Sequence, residues 1–272
     1  AQDADSEGVE GKYYVWNAQQ TSVLLDKDKA ELFNHSYGLD RTANFEGRWY
    51  PHTYVDSARL AEELGRTTAD IQQKLDSAKA TLYQQRIRRI HPATDDKILT
   101  AWNALMIRAM NLAARTLQQP AYATSAQKAL DYIRNTHQID HRLLATSKDG
   151  KAHLNAYLDD YAYLLLALVD ALQNEWDNTH YDWSRQIADR MLELFEDRER
   201  GGFYFTSNDH EQLIMRSKSF TDDAMPSGNG IAASALHTLG LLSGETRYLE
   251  SAQKTLLAAS AELQQRPLLY CA

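Results

Sequence analysis

Leu158-Asp159-Asp160-Tyr161-Ala162-Tyr163-Leu164-Leu165-Leu166-Ala167-Leu168 places two consecutive carboxylates at the head of a run that is apolar on every face. A helix without a polar face is a buried helix. The acidic pair recurs at Asp95-Asp96 and Asp222-Asp223, at separations of 64 and 63 residues (95 to 159, then 159 to 222). Six residues ahead of each pair stands Arg89, His153 or Arg216, and an Ala/Leu-rich stretch of helical period follows. A repeat longer than one helix and shorter than a domain marks a stacked architecture.

The 3.6-residue period predicts helices near 97–117, 122–136, 155–174, 180–197, 228–242 and 246–264. They fall into pairs. The first of each pair is apolar almost all round, and the second carries charge on one face, as with Asp189, Arg190 and Glu193. Between pairs, Ala145–Gly150 and Phe205–Asp209 read as polar turns, and Gly201-Gly202-Phe203-Tyr204 as a short strand. Inner buried helices alternating with outer amphipathic ones predict an all-α fold, an α/α toroid of the six-hairpin glycosidase-like kind with short β excursions. Only three regular hairpins are visible over residues 91–272, and residues 1–90 are irregular. In that first part Gly11–Trp16 reads as a strand, with helices at Asn17–Asp26, Lys27–His35, Ser57–Leu64 and Thr68–Arg88. The expectation is a single partial toroid domain over 1–272, a fragment of a longer protein. Such an open ring would expose apolar surface on its inner helices.

The net charge of −8 argues against a nucleic-acid surface, which needs clustered cations. No apolar run approaches a membrane span. Cys271 is the only cysteine, which excludes an internal disulfide framework and a CxxC redox pair within this chain. A cytoplasmic location is expected. His137 and His141 are spaced i, i+4 without a further ligand motif, so no metal and no cofactor are expected.

In a toroid the loops entering the inner helices surround one mouth of a funnel. The three acidic pairs would then face one another, as the acid and base of glycosidic chemistry do. The candidate catalytic residues are therefore Asp95, Asp96, Asp159, Asp160, Asp222 and Asp223. Trp102, Asn103, Tyr161, Arg216, Ser227 and Asn229 are the candidates for holding a sugar. The plainer alternatives are specific. Asp95, Asp96, Asp222 and Asp223 could serve as helix caps or pair with Arg89 and Arg216. Trp102 could be core, and Pro226–Gly230 a tight turn with an N-cap rather than a backbone anion nest. If Asn155 caps its helix, Asp159 and Asp160 lie in the second turn, where a carboxylate is costly unless partnered.

Asp3–Trp16, Asn44-Phe45-Glu46-Gly47, Asp95–Met106, Leu158–Ala162 and Pro226-Ser227-Gly228-Asn229, in that order, resemble the YyaL/spermatogenesis-associated thioredoxin-domain-containing family. Ala104 departs from it, since the family usually has Gly there. The resemblance implies a thioredoxin-like domain, absent from this chain, followed by a toroid similar to glycoside hydrolases and N-acylglucosamine 2-epimerases. Acid/base chemistry on a sugar, as hydrolase or epimerase, is the function expected. In an epimerase His91 and His153 would be the nearest acid and base. The rival expectation is a non-catalytic domain that binds clients or peptides for the thioredoxin-like module.

Overall fold

A computed structural model describes residues 1–211 and 214–271 and divides the chain into two compact units, 1–96 and 97–272. In the first unit a hairpin joins β1 (Asp5–Ser6) to β2 (Val9–Glu10) through Glu7 and Gly8, both at positive φ. Gly11–Trp16, expected as a strand, turns back on itself instead. Tyr14 and Val15 donate to the Gly11 carbonyl, and only Trp16 pairs, with Trp49. Helix α1 (Ala18–Leu24) opens on a reciprocal cap between Asn17 and Gln20. Asp26 caps α2 (Lys27–Ser36), Asp56 caps α3 (Ser57–Leu64) and Thr67 caps α4 (Thr68–Arg86). The apolar faces of α2 and α4 close on Phe33, Ala78 and Leu82 on one side and on Leu32, Ile71 and Leu75 on the other.

The second unit is built from three hairpins. They are α5 (Thr100–Thr116) with α6 (Pro120–Tyr132), α7 (Leu158–Leu172) with α8 (Asn178–Phe195), and α9 (Gly228–Ser243) with α10 (Thr246–Gln265). α7 packs between α5 and α9, while α6, α8 and α10 each cover their own partner from outside. This is the inner-and-outer alternation that the sequence pattern demands. In α7, 13 of 15 residues are buried.

The β excursion between α6 and α7 is larger than the turn expected there. β5 (Arg142–Lys148) pairs antiparallel with β3 (Ile98–Leu99), β4 (Gln138–Ile139) and β6 (Lys151–Asn155). Asp149 and Gly150, both at positive φ, make the two-residue turn that joins β5 to β6. The Gly201–Tyr204 strand does not form. Gly201 and Gly202 are both left-handed, at φ 73° and 77°, and leave only a bridge between Phe203 and Glu196.

Candidate functional site

The first turn of α7 decides what each member of the middle acidic pair can do. The N-cap is Tyr157, not Asn155, so Asp159 and Asp160 fall in the first turn rather than the second. Their two side chains go separate ways. Asp160 is buried, accepting from the Tyr157 N–H at 2.9 Å with one oxygen and from the Ala101 N–H at 2.9 Å with the other. One carboxylate thus ties the starts of two inner helices, and α5, whose own N-cap residue Leu99 supplies no side-chain cap, is served from α7. Burial pushes Asp160 up to about 7. The two N–H donors oppose the rise and the neighbouring Asp159 charge adds to it.

Asp159 points elsewhere. It is partly buried and, among the described residues, takes no hydrogen bond. Burial alone pushes it up to about 6. It lines a cavity of about 360 Å³ together with Phe205, Asp223, Met225, Ser227 and Gly228. Gly228 begins α9 directly against it, where a β-carbon would stand 2.1 Å from the Asp159 carboxylate oxygen. One turn along α7, Tyr163 donates its hydroxyl to the Pro226 carbonyl. Burial, and then the charges of Asp159, Asp222 and Asp160, push that phenol well above its usual range, so it stays a donor.

The third acidic pair is also divided. Asp222 accepts from the Ser227 N–H at 2.8 Å and the Cys271 N–H at 2.6 Å, and so braces the loop ahead of α9. Asp223 is exposed and lines the cavity with Asp159. Ser227 is the N-cap of α9, its hydroxyl accepting from the Gly230 N–H. The tight-turn-and-cap reading of Pro226–Gly230 therefore describes this segment.

Several sequence candidates serve the scaffold instead. Tyr161 is fully buried against Phe195, and its hydroxyl accepts from the Leu143 N–H. A ligand cannot reach it. Asn229 lines the cavity, but its amide accepts from the Phe203 N–H and donates to the Phe203 and Ser219 carbonyls. Arg216 donates to the Thr206 and Leu194 carbonyls and lies over Tyr204, held by backbone rather than poised for a substrate. Asn103 donates to the Leu99 carbonyl. Trp102, for which core packing was the plainer expectation, is 57% exposed on α5 near the equally exposed Met106.

Asp95 and Asp96 end the first unit as exposed residues. Arg89 in that unit is committed to the carbonyls of Lys12, Tyr13 and Val15 and to the Trp16 ring. His91 is exposed beside Tyr13, and His153 is exposed on β6. His137 is buried between Thr100 and Ser147, where burial lowers its basicity. The sequence reading passed over Tyr163 and the role of Gly228 as the cradle of Asp159. The single Pro226-Ser227-Gly228-Asn229 string is the available signal for the glycine.

No family model matches the chain. Human spermatogenesis-associated protein 20 is 26% identical to it across 98% of this chain and 39% of that protein. An uncharacterised Caenorhabditis elegans protein is 22% identical across 98% of this chain and 41% of its own length. The chain thus spans about two fifths of the curated relatives it matches. Among solved structures it is similar to cellobiose 2-epimerase from Spirochaeta thermophila, with a TM-score of 0.51 and 17% identity over 62% of this chain and 44% of that one. It is similar also to a GH76 α-mannanase from Bacteroides thetaiotaomicron, with a TM-score of 0.52 and 14% identity over 64% and 48%. A third is an α-1,6-mannanase of Salegentibacter in complex with α-1,6-mannotriose, in an inactive variant with two consecutive aspartates changed to asparagine. Its TM-score is 0.50 and its identity 14%, over 89% and 70%. The fold is the α/α toroid of the six-hairpin glycosidase-like proteins.

Proposed function

We propose that this chain, a homologue of spermatogenesis-associated protein 20 along almost its whole length, carries out acid–base chemistry on a sugar in the cavity between the starts of α7 and α9. The observation that carries the reading is Asp159. It is a carboxyl pushed up to about 6, without a hydrogen bond from the described residues, at the wall of a cavity that also holds Asp223. A protonated Asp159 is suited to donate to a glycosidic or ring oxygen, with the exposed Asp223 as the second carboxyl group of the cavity. Asp160 and Asp222 hold the backbone that presents them. The fold neighbours act on sugars by name, and one of them is inactive when two consecutive aspartates become asparagine. Both points favour a saccharide over other ligands. The length of the relatives beyond the matched part has room for the thioredoxin-like domain that the family resemblance implies, and such a domain is part of the proposal.

The test offers cellobiose and α-1,6-mannotriose to the intact chain and follows products chromatographically. Turnover is expected to fall as pH rises past about 6, and to drop about 100-fold or more in Asp159→Asn with sugar binding retained. Unchanged turnover in that variant, or neither binding nor turnover in the parent, would overturn the proposal. The exposed Trp102 and Met106 favour the client-binding reading instead, and peptide binding without any response to sugars would establish it.

A further inference from the structure

The first unit holds a cavity of its own, of about 290 Å³, walled by the rings of Tyr14, Trp16, Phe33 and Tyr50. Among the described residues, the charged ones that line it are Lys79 and Arg86, with no carboxylate. Lys79 is already paired, with Asp76 at 2.6 Å. Arg86 is different. Its guanidinium lies 5.4–5.7 Å from the ring centres of Tyr13, Tyr14 and Tyr83. Among the described residues it makes no hydrogen bond and no ion pair, and its Nε is buried without a partner.

A cation in the last turn of α4 suits the negative end of that helix. The helix end and the ring faces attract its charge, yet neither gives its N–H groups an acceptor. A buried donor left unpaired is costly. A guanidinium with its fork open at a cavity is the side chain best shaped to take a carboxylate on two N–H groups at once.

We propose that this cavity is a binding site for a small aromatic carboxylate, with its acid group on Arg86 and its ring against Tyr14, Trp16 and Tyr50. The volume is at the small end for ligand cavities and suits one ring with a short acid arm. The lining also decides between an aromatic and a saccharide acid. A sugar brings several hydroxyls, each needing a partner, and the surface of this lining is mostly apolar even with four tyrosines, Tyr14, Tyr37, Tyr50 and Tyr83, in it. Flat apolar rings instead match the offset and edge-on packing that aromatic side chains favour. The site lies wholly within residues 14–86 and does not depend on the proposed role of Asp159.

Isothermal titration of the full chain with phenylacetate and 4-hydroxyphenylacetate tests it, with glucuronate as the saccharide acid. Saturable binding of an aromatic acid is expected, weaker by about tenfold or more in Arg86→Gln. Arg86→Lys keeps the charge but loses the fork, so it should also bind more weakly. Tyr50→Ala removes an exposed ring, and supplies the comparison should the arginine variants fail to fold. Three outcomes would each overturn the proposal: no saturable binding of either aromatic acid at millimolar concentration, tighter binding of glucuronate, or unchanged affinity in the folded variants.

Discussion

Gly228 stands so close to Asp159 that a β-carbon on it would lie 2.1 Å from the carboxylate oxygen and 3.3 Å from the side chain of Leu158. The glycine has an ordinary helical position, so the constraint is one of space and not of backbone freedom. It fixes where the acid points, because the start of α9 can approach α7 only with nothing on that α-carbon. The same closeness forms one wall of the cavity.

Gly228→Ala should therefore displace Asp159 or push α9 outward. Overpacking of this kind costs about 1–3 kcal/mol. Urea denaturation of the variant measures it. A loss well under 0.5 kcal/mol would mean that Asp159 rotates away freely, and the cradle would then play no part in aiming it.

The two members of the middle pair should respond differently to the same change. Both carboxyls are raised, Asp159 to about 6 and Asp160 to about 7, so in the folded chain each prefers its proton. Their contribution is present in full below the ordinary Asp value near 4 and is lost as pH rises through 6 and 7. Stability should accordingly fall between about pH 4 and 7. Asp159→Asn removes a charge without removing a hydrogen bond, and should gain on the order of 2 kcal/mol over the parent at pH 7.5 and almost nothing at pH 4.5. Asp160→Asn keeps only one accepting oxygen for the Tyr157 and Ala101 N–H groups, and should lose about 1–3 kcal/mol at pH 4.5, a loss that removal of the buried charge offsets at pH 7.5. Denaturant midpoints at the two pH values decide it. Equal behaviour of the variants would remove the division of labour argued for the pair.

Away from the cavity, Lys218 and Asp197 form a nearly buried ion pair at 2.7 Å, with side chains 17% and 7% exposed. Lys218, with the Arg200 N–H and the Tyr204 hydroxyl, holds the Asp197 carboxyl far below its usual range. That contribution is present above the ordinary Asp value near 4 and is lost as pH falls through the lower folded value. Lys218→Met should strand the carboxylate and cost about 3 kcal/mol. It should also move acid unfolding to a higher pH. Acid titration followed by circular dichroism checks both, and an unmoved acid midpoint would assign Asp197 to its backbone and tyrosine donors alone.

Much of the fold is legible in the chain itself. Helices α3, α4 and α7 to α10 lie close to where period and caps put them, because burying one stripe or all faces of a helix is written into residue order. The errors have local causes. Gly11–Trp16 has strand-like rings, but its opening glycine turns the chain back. Gly201 and Gly202 look like a strand start, yet both adopt a hand that strands do not use. Ala145–Gly150 reads as polar turn, and most of it becomes β5 because β6 folds back on it across Asp149-Gly150 and β3 supplies a partner from distant sequence.

The sequence by itself determined the hairpin period, the alternation of buried and amphipathic helices, and the presence of an acidic pair ahead of each repeat. Those follow from which residues can face water. Only the tertiary structure decided that Asp160 is spent on Tyr157 and Ala101 while Asp159 is left facing a cavity beside Gly228. Adjacent residues of one type are equivalent in a sequence. They become an anchor and a candidate acid only when Tyr157 and Ala101, 3 and 59 positions from Asp160, take its oxygens while Gly228, 69 positions from Asp159, only makes room for the other carboxyl, because desolvation and hydrogen bonding depend on what the packed chain brings alongside.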